Sequence, residues 1–534
     1  MGNSEKPSAS SKKKPSFVFS MTDDQDKLLD SMQALPLTKK KIGQQGTTYD
    51  QHFCTIAICC PSRVSLLTGK MAHNTNVTDV APPYGGYPKF ISQGLNDNYL
   101  PVWLQSAGYN TYYTGKLMNS HSISTYNSPY PAGWNNTGFF IDPGTYNYNN
   151  VTFQADRNPP VSRSDIYSTD LARNTALGFL DSASKSDRPF FVGVAPIAPH
   201  TLGVFEAGAT LPSFVAPIPA ARHKNLYPNA KMPRGISFNP DSPSGLSWVK
   251  ALPKLTSAEI DYMDGFYRAR LQALAAVDEL VDAIVTKVEK LGIADNTYII
   301  FTSDNGFHMA QHRLPPGKGC AYEEDINVPF MIRGPGISKG KTVDFVTSHT
   351  DITPTIFKLA GIPQRSDFDG TPVPLTPSET AKAKNGPLND HLGVEYWGVD
   401  IGEGTYWKSG AGGSYTQYQN STYKAIRVVG KNYNFMYSVW CTNEHELHDM
   451  TNDAAQMENL AGFKGKVKGY SVPQVQARLD ALMMVMKSCK GDHTTPSMPN
   501  NQVSFTSCQL GYIVAAEGPQ TPLYYNTKNW NDWT

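Results

Sequence analysis

The sequence of 534 residues has no apolar run that approaches the length of a membrane-spanning helix, and it has almost no net charge. A helix that crosses a bilayer needs about 20 consecutive apolar residues, so we expect no membrane span. A formal net charge of +1 excludes strong attraction of the whole chain to nucleic acid or to an anionic membrane. Any binding of anions must therefore come from a local cluster of basic side chains.

Cysteine is also scarce, with seven residues in the whole chain. That number allows a few disulfides and one functional cysteine. Cys489 and Cys508 bracket a polar loop near the C-terminus and are the pair that we would join first. The chain is 40% hydrophobic and 17% charged, which is typical of a globular protein with a large core, and its length favours two domains.

The signals for cellular location disagree with each other. Residues 1–14 are polar and rich in serine and lysine, without the apolar segment of a secretory signal, and Lys6 breaks the pattern for N-myristoylation. The chain nevertheless has acceptor sequons for N-glycosylation, which favour a secreted protein or one in the lumen of the secretory pathway. A cytoplasmic protein with unused sequons is the alternative. The sequons begin at Asn76, Asn135, Asn150 and Asn420.

Polar residues come directly after several short β-rich runs that alternate with helical patterns. Such alternation predicts an α/β domain with a large, mixed, mostly parallel sheet flanked by helices. Ligands in these sheets bind beyond the carboxyl ends of the strands, so we expect the polar groups to meet at one edge. Run 16–21 precedes Asp23 and Asp24, run 110–114 precedes Lys116, run 190–195 precedes His200, and run 297–302 precedes Asp304 and Asn305.

A long helix is predicted over residues 257–291, where apolar residues recur at three- and four-residue spacing. Thr256 and Glu259 fit a capping box at its start, and Gly292 is a stop signal at its end. We expect this helix to pack on the sheet.

The stretch 372–385, with its proline, serine and lysine, separates this domain from the C-terminal part of the chain. Runs 423–429 and 433–439 predict a β-hairpin, and a helix is predicted over 473–487 with Pro473 at its first position. We therefore predict a smaller C-terminal α+β domain with an antiparallel sheet. The predicted divisions are a polar tail at 1–14, the main α/β domain at 15–375 and the C-terminal subdomain at 386–534.

Residues 59–69, Cys-Cys-Pro-Ser-Arg-Val-Ser-Leu-Leu-Thr-Gly, form the most informative segment. Pro61 suits the first position of a helix, which places Cys59 where free backbone N–H groups and the helix dipole favour negative charge. That position lowers the pKa of a thiol, or equally stabilises an anionic substrate at the side chain. Taken alone, the pair Cys59 and Cys60 is more typical of buried structural cysteines or of a vicinal disulfide.

All seven specified positions of this segment match the signature of the type I sulfatases, Cys-x-Pro-Ser-Arg-x-x-x-Leu-Thr-Gly. The resemblance covers most of the chain, because Asp-Asp-Gln, Thr-Gly-Lys, Ala-Pro-His and Ser-Asp-Asn-Gly stand around the signature in the family's order. The segments Gly-Lys-Leu-Met-Asn and Gly-Phe-His-Met-Ala-Gln-His-Arg-Leu resemble fungal and algal arylsulfatases and glucosamine-6-sulfatases. The resemblance implies an alkaline-phosphatase-like fold, with 15–375 as the catalytic domain, and hydrolysis of sulfate esters.

In this family the first cysteine of the signature is oxidised to formylglycine by a formylglycine-generating enzyme, and the hydrated aldehyde is the nucleophile. The resemblance assigns that role to Cys59. It also implies a bound Ca²⁺, with Mg²⁺ as the alternative, and carboxylate and amide oxygens suit either hard cation. Outside this context, adjacent Asp residues and Asp-Asn-Gly are more often turn residues. The implied metal ligands are Asp23, Asp24, the modified Cys59, Asp304 and Asn305.

The same resemblance assigns the remaining roles. Arg63 would orient the nucleophile. Lys116 and Lys318 would bind sulfate oxygens. His200 would protonate the leaving alcohol, after which the second hydroxyl of the hydrate loses its proton and the aldehyde re-forms as sulfate departs.

One position departs from the family. Many sulfatases have a histidine two residues after the lysine of Gly-Lys, and here that residue is Met118. Asn119 or His121 would fill part of its role in sulfate release. His308 and His312 would line the substrate pocket, and the alternative for each is an ordinary histidine held by hydrogen bonds.

Three other functions stay open. The nearest is a phosphodiesterase or phosphonate monoester hydrolase of the same superfamily, because phosphate and sulfate esters share their shape. A non-catalytic protein would keep Cys59 unmodified and hold sulfated glycans, and a redox protein built on Cys59 and Cys60 would need no metal. The substrate, a small sulfate ester or a sulfated glycan, is not specified. Tyr84, Tyr87 and Trp134 suit either a binding pocket or the core.

Overall fold

The computed structural model describes residues 13–204, 213–384, 390–398, 421–430, 432–487 and 490–491. Cys489 and Cys508 lie outside these residues, as does Asn420, so the disulfide between the two cysteines stays a prediction. No helix within the described ranges combines the length and the apolarity that a membrane crossing requires.

Strands and helices alternate through the first 360 residues, and a second group of strands comes after them. The described strands are β1 (Ser16–Thr22), β2 (Thr47–Tyr49), β3 (His52–Phe53), β4 (Asn110–Lys116), β5 (Asn136–Phe140), β6 (Val151–Ala155), β7 (Val161–Arg163), β8 (Phe190–Ala195), β9 (Leu202–Val204), β10 (Ser213–Val215), β11 (Thr297–Ser303), β12 (Phe330–Arg333), β13 (Lys341–Val343), β14 (Thr347–Ser348), β15 (His391–Tyr396), β16 (Tyr423–Val429), β17 (Asn434–Trp440), β18 (His445–Asp449), β19 (Lys466–Val467) and β20 (Tyr470–Ser471). The described helices are α1 (Pro36–Thr38), α2 (Cys59–Thr68), α3 (Ala72–Thr75), α4 (Gly86–Ser92), α5 (Leu100–Ser106), α6 (Ser168–Ala183), α7 (Ser247–Lys250), α8 (Ser257–Lys290), α9 (Glu323–Ile326), α10 (Ile352–Ala360), α11 (Pro377–Lys384) and α12 (Val472–Met486).

Ten of the described strands form one sheet, in the order β13-β2-β12-β11-β1-β8-β4-β5-β6-β7. The centre is parallel, since β1 pairs with β11 and β8, and β4 pairs with β8 and β5. Towards the edges, β12 and β6 are antiparallel to both of their neighbours. This mixed sheet with a parallel centre confirms the fold class that the alternating pattern predicted.

Strand β1 is buried along its whole length, and its side chains alternate between two apolar cores. Phe17, Phe19 and Met21 belong to the first core, which also contains residues of α2, α4, α5 and α10. Val18 belongs to the second core, with residues of α6 and α8. Because helices cover both faces, the central strands are continuous apolar runs in the sequence.

Helix α8 agrees with its prediction to within one residue. The Thr256 hydroxyl accepts a hydrogen bond from the Glu259 N–H at 3.3 Å, and the Glu259 carboxylate accepts one from the Thr256 N–H at 2.7 Å. Gly292 comes after the helix with a φ of +69°, a left-handed conformation that glycine adopts without strain. The apolar side of α8 packs into the second core, as predicted.

Strands β15 to β18 form a separate antiparallel sheet. The predicted hairpin consists of β16 and β17, with Tyr423 opposite Trp440 and Val429 opposite Asn434. Helix α12 packs on this sheet, and Pro473 is its second residue rather than its first. The predicted antiparallel C-terminal sheet is therefore confirmed.

The described part of the predicted separator, residues 372–384, packs on the main domain. Val373 is buried in the first core, and its N–H donates to Thr355 Oγ1 of α10 at 2.7 Å. Helix α11 starts inside the stretch, where Thr376 Oγ1 accepts from the Glu379 N–H at 3.3 Å. Pro377 therefore begins a helix within the stretch.

Candidate active site

Helix α2 holds Cys59 in its first turn and begins two residues before Pro61. Pro61 is therefore its third residue and not its first, which is tolerated because the N–H groups of a first turn have no partner within the helix. All ten residues of α2 are buried. Gly69 ends the helix with a φ of +68°, and its N–H donates to Ser65 O at 2.9 Å. Cys59 thus lies inside the protein, at the N-terminal end of a buried helix.

The neighbouring strands β11, β1, β8 and β4 deliver polar residues to one edge of the sheet. The two acidic segments meet there, since the Asp304 N–H donates to Thr22 O at 3.1 Å and the Asp24 N–H donates to Asp304 Oδ1 at 2.9 Å. The predicted convergence of strand ends is therefore present in the structure. Asp23 and Asp24 come after β1, Lys116 ends β4, His200 comes after β8, and Asp304 and Asn305 come after β11.

Two lysines lie between the carboxylates and Cys59. Lys116 Nζ is 2.9 and 2.7 Å from the two carboxylate oxygens of Asp23. Lys318 Nζ donates to Asp24 Oδ1 and lies 2.9 Å from Cys59 Sγ. Cys59 Sγ is itself 3.5 Å from Asp23 Oδ1 and 3.8 Å from Asp24 Oδ1.

Arg63, one helical turn after Cys59, completes the charged cluster. Its Nε donates to Asp304 Oδ2 at 2.8 Å, and its Nη2 lies 3.4 Å from Asp23 Oδ1. Three basic and three acidic side chains therefore lie together, and each of them is at most 2% exposed.

Burial and charge act in opposite directions on the pKa values of this cluster. Burial would raise the pKa of Asp24, but Lys318 and His200 lower it to about 2. Burial is likewise outweighed at Asp23, whose pKa is held below its ordinary value by Lys116 and Arg63. At Cys59 burial prevails and raises the pKa of the thiol well above its usual range. The pKa lowering expected from the helix N-terminus was wrong, because desolvation outweighs the nearby positive charges.

The donor set fits a hard divalent cation. Asp24 Oδ2 and Asn305 Oδ1 are buried and accept no hydrogen bond from any described residue. Asp23, Asp24, Cys59 and His200 each offer a ligand atom within 4.8 Å of the others. Oxygen atoms of carboxylates and amides are what Ca²⁺ and Mg²⁺ prefer.

His200 is held in one orientation by its neighbours. Its Nδ1 lies 2.8 Å from Thr201 O, and since a carbonyl only accepts, Nδ1 is the protonated donor. The Tyr148 hydroxyl donates to His200 O at 2.6 Å. The other ring nitrogen, Nε2, is 3.5 Å from Asp24 Oδ2 and so faces the cluster.

Asn119 and His121 lie in different surroundings. Asn119 Nδ2 donates to the Tyr146 hydroxyl at 2.7 Å, and the Tyr146 ring stacks on His200. His121 is buried between the rings of Tyr87 and Phe139, and burial lowers its pKa to about 4. Neither ring nitrogen of His121 has a hydrogen-bond partner in the described part of the chain. Asn119 therefore contacts the site, whereas His121 belongs to an aromatic core.

The two later histidines also differ. His308 Nδ1 is 2.8 Å from Asp325 Oδ1, and the His308 backbone pairs with Gly317, the residue before Lys318. His312 stacks on the Tyr322 ring at 3.9 Å, and burial lowers its pKa to about 3. His308 thus adjoins the lysine segment, while His312 is a neutral ring packed against an aromatic side chain.

Sequence reasoning missed Arg270 and Tyr146. Arg270, on α8, donates to Asp24 O at 2.6 Å and to Asp26 Oδ1 at 2.8 Å, so it supports the loop after β1. A lone arginine among the apolar positions of a helix was a usable signal for it. Tyr146 lies in a loop between β5 and β6 with no pattern to distinguish it.

The structure also locates the cysteine pair and the three aromatic residues that the sequence analysis named. Cys59 and Cys60 are both free, so the vicinal disulfide is excluded. Tyr87 and Trp134 are buried in the first core, whereas the side chain of Tyr84 is 64% exposed.

A buried cluster of two lysines and an arginine around Cys59 suits the binding of a small oxyanion, and the comparisons with known proteins identify the family. Residues 15–362 match the family model described as Sulfatase. The chain is 42% identical over 414 residues to the sulfatase ppz1 of Metarhizium majus (strain ARSEF 297), covering 72% of this chain and 87% of that protein. It is 37% identical over 511 residues to an arylsulfatase of Volvox carteri, covering 91% of this chain and 76% of that protein. The chain therefore belongs to the sulfatase family and is a sulfuric ester hydrolase.

The fold is shared with solved structures. One, described as a complex with its substrate D-glucosamine-2-N,6-O-disulfate, aligns with a TM-score of 0.65 over 88% of this chain and 97% of that chain. The two are 22% identical, so this likeness concerns the fold. It agrees with the alkaline-phosphatase-like architecture that the sequence resemblance implied.

Proposed function

We propose that the enzyme hydrolyses sulfate esters through a formylglycine derived from Cys59, together with a divalent cation, Ca²⁺ or Mg²⁺. The observation that supports this most directly is the buried contact of Cys59 Sγ with Lys318 and with the carboxylates of two aspartates. The residues that would hold the cation are Asp23, Asp24, Asp304, Asn305 and the modified Cys59.

The surroundings of Cys59 suit a formylglycine better than a thiol. Burial keeps the thiol protonated, and a neutral thiol is both a weak nucleophile and a poor ligand for a hard cation. The hydrated aldehyde would supply a hydroxyl nucleophile and an oxygen ligand at this position, where the bound cation would polarise both the hydroxyl and the substrate.

Lys116 and Lys318 are the side chains that bind the sulfuryl oxygens. Both ammonium groups are buried, so they act on developing negative charge in a medium of low dielectric constant. Arg63 is fixed by Asp304 and also donates to Lys116 O, so it links the nucleophile helix to the end of β4.

His200 gives a proton to the leaving alcohol. Cleavage of the ester S–O bond leaves its electron pair on the alcohol oxygen, which then needs a proton. Because Nδ1 keeps its proton for Thr201 O, the donor is the imidazolium form, and the proton that it gives up is the one on Nε2, the nitrogen that faces the cluster, which leaves the neutral Nδ1–H ring.

An aryl sulfate or a sulfated amino sugar is the substrate class we propose, in line with the arylsulfatase relative and with the glucosamine disulfate of the solved complex. We also propose a secretory-pathway protein that meets a formylglycine-generating enzyme during maturation. The sequon residues Asn76, Asn135 and Asn150 are exposed, which suits glycosylation.

Mass spectrometry of the peptide containing Cys59 tests the central step. We expect a residue lighter than cysteine by about 18 Da, the difference between H₂S and O. Turnover of 4-nitrophenyl sulfate should exceed turnover of the matching phosphate monoester and diester. Preference for a phosphate diester, or an unmodified Cys59 in a preparation that hydrolyses sulfate esters, would contradict the proposal.

A further inference from the structure

Tyr146 contacts two side chains of the proposed reaction, His200 and Lys116. Its ring stacks on the His200 imidazole, with 4.1 Å between ring centroids and 20° between the planes. Lys116 Nζ lies over the same ring, 4.7 Å from its centroid. Tyr146 is thus the one described residue with ring contacts to both groups.

The hydroxyl end of Tyr146 is held as well. Asn119 Nδ2 donates to it at 2.7 Å, and Asn119 O accepts from the N–H of the buried Tyr87 at 2.8 Å, which ties this segment to α4. Met118, where many sulfatases have a histidine, is buried in the first core instead. In the segment after Lys116, Asn119 and not Met118 therefore makes a polar contact with Tyr146.

The contacts of His200 show what the ring adds. Thr201 O holds Nδ1, Tyr148 holds the backbone carbonyl, and the Phe214 ring meets the imidazole edge-on with 6.2 Å between centroids, so none of these contacts lies flat on the imidazole to limit the tilt of its plane. A ring stacked flat on the imidazole limits that tilt. The same ring holds the Lys116 ammonium group by a cation–π contact.

Resting on the proposed function, we infer that Tyr146 is a positioning residue that aims the His200 Nε2 proton at the leaving oxygen, with Asn119 anchoring its hydroxyl. It acts through His200 and does not itself exchange a proton. Its importance should therefore increase with the need of the leaving group for a proton.

A series of substituted phenyl sulfates with increasing phenol pKa measures that dependence, starting from 4-nitrophenyl sulfate. For Tyr146→Leu we expect kcat/KM to fall by a small factor with 4-nitrophenyl sulfate and by about 10- to 100-fold at the poor-leaving-group end, because a general acid contributes most there. Tyr146→Phe keeps the ring but loses the hydroxyl that Asn119 holds, so its loss should lie between wild type and Tyr146→Leu. Asn119→Ala removes the same hydrogen bond and should match Tyr146→Phe.

Two comparisons make the test specific. Tyr84→Leu removes an exposed tyrosine and is the matched control, expected to behave like wild type. In a His200→Ala background, Tyr146→Leu should not change the dependence on phenol pKa any further, because the group it aims is gone.

Equal loss across the series, a Tyr146→Phe variant as impaired as Tyr146→Leu, or additive slopes in the His200→Ala background would each overturn the inference. A wild-type enzyme that turns over no aryl sulfate would instead refute the proposed function. If Tyr146→Leu does not fold, the slopes of Tyr146→Phe and Asn119→Ala still decide, since a wild-type slope for Asn119→Ala contradicts the anchoring role.

Discussion

Two of the places where the protein buries charged side chains differ in how completely those charges are paired. At the carboxyl edge of the main sheet, buried atoms of Asp24, Asn305 and Arg63 lack hydrogen-bond partners among the described residues. Where the C-terminal sheet meets the main domain, Arg427 pairs with Glu323, which also accepts from Asn327 Nδ2 at 2.8 Å. No buried polar atom of the Arg427–Glu323 pair is left without a partner in the described chain.

The unpaired atoms belong to the candidate active site, and the fully paired Arg427–Glu323 pair is a structural contact. An unpaired buried polar atom costs about 1 to 3 kcal/mol, and the proposed cation and substrate would offset that cost at the sheet edge. The Arg427–Glu323 pair joins β16 to α9 of the main domain, and its hydrogen bonds are complete.

The largest effect should come from Cys59→Ala, which removes the proposed nucleophile at the incomplete cluster. We expect kcat/KM for 4-nitrophenyl sulfate to fall by about 10⁴-fold or more. Cys60→Ala is the matched control, because Cys60 packs in the first core and should leave kcat/KM nearly unchanged. Similar activity losses in both variants would show that the segment matters only for folding.

Breaking the Arg427–Glu323 pair should lower the stability of the protein rather than its activity. Arg427→Met leaves Glu323 buried without its cation, and we expect the free energy of unfolding to fall by about 3 to 5 kcal/mol in denaturant titrations. The double variant Glu323→Gln with Arg427→Met should recover much of that loss. A double variant as unstable as Arg427→Met would place the cost in lost packing of the arginine.

A buried histidine of the C-terminal sheet should make stability depend on pH. Burial would lower the pKa of His448, but its contacts with Asp453 and Glu446 raise it to about 9. A group whose folded-state pKa is raised stabilises the protein fully below its unfolded pKa of about 6.5 and loses that contribution as pH rises through 9. The loss should be on the order of 3 kcal/mol, seen as a falling melting temperature over that range. His448→Gln should flatten the profile, and an unchanged profile would contradict the assignment.

Adding Ca²⁺ should stabilise the incomplete cluster. At a concentration of about 100 times Kd the free energy of unfolding should rise by about 2.7 kcal/mol, measured by thermal or chemical unfolding after chelator treatment. Asn305→Ala should reduce this gain. Asn434→Ala, beside Arg427 at the junction, should lower stability yet keep the gain from Ca²⁺. A gain equally lost in both variants would refute a specific site at the sheet edge.

Several elements were predictable because their signals are local. The central strands end within two residues of the predicted positions, since an apolar run that stops at polar residues must leave the core there. Helix α8 was predicted from its spacing and its capping box. The start of α2 was misplaced because proline is allowed at more than one position of a first turn.

The candidate active site could be predicted only in part from the sequence. The signature and the strand ends named the residues that meet at the cluster, and a family resemblance supplied their roles. The protonated state of the Cys59 thiol was not predictable, because it depends on how deeply the tertiary fold buries the helix. Tyr146 was missed because its contacts with His200 and Lys116 lie outside any repeating pattern.

Local patterns in the chain were enough to specify the class of sheet, the order of its polar segments and the cysteine at the head of α2, because apolar periodicity and short motifs act over a few neighbouring residues. The three-dimensional packing settles which buried atoms lack partners within the described chain, which way His200 faces and how burial shifts each pKa. Those properties come from contacts such as Asp24 N with Asp304 Oδ1, whose residues are 280 positions apart in the chain. Distances of that kind are set by packing of the whole fold.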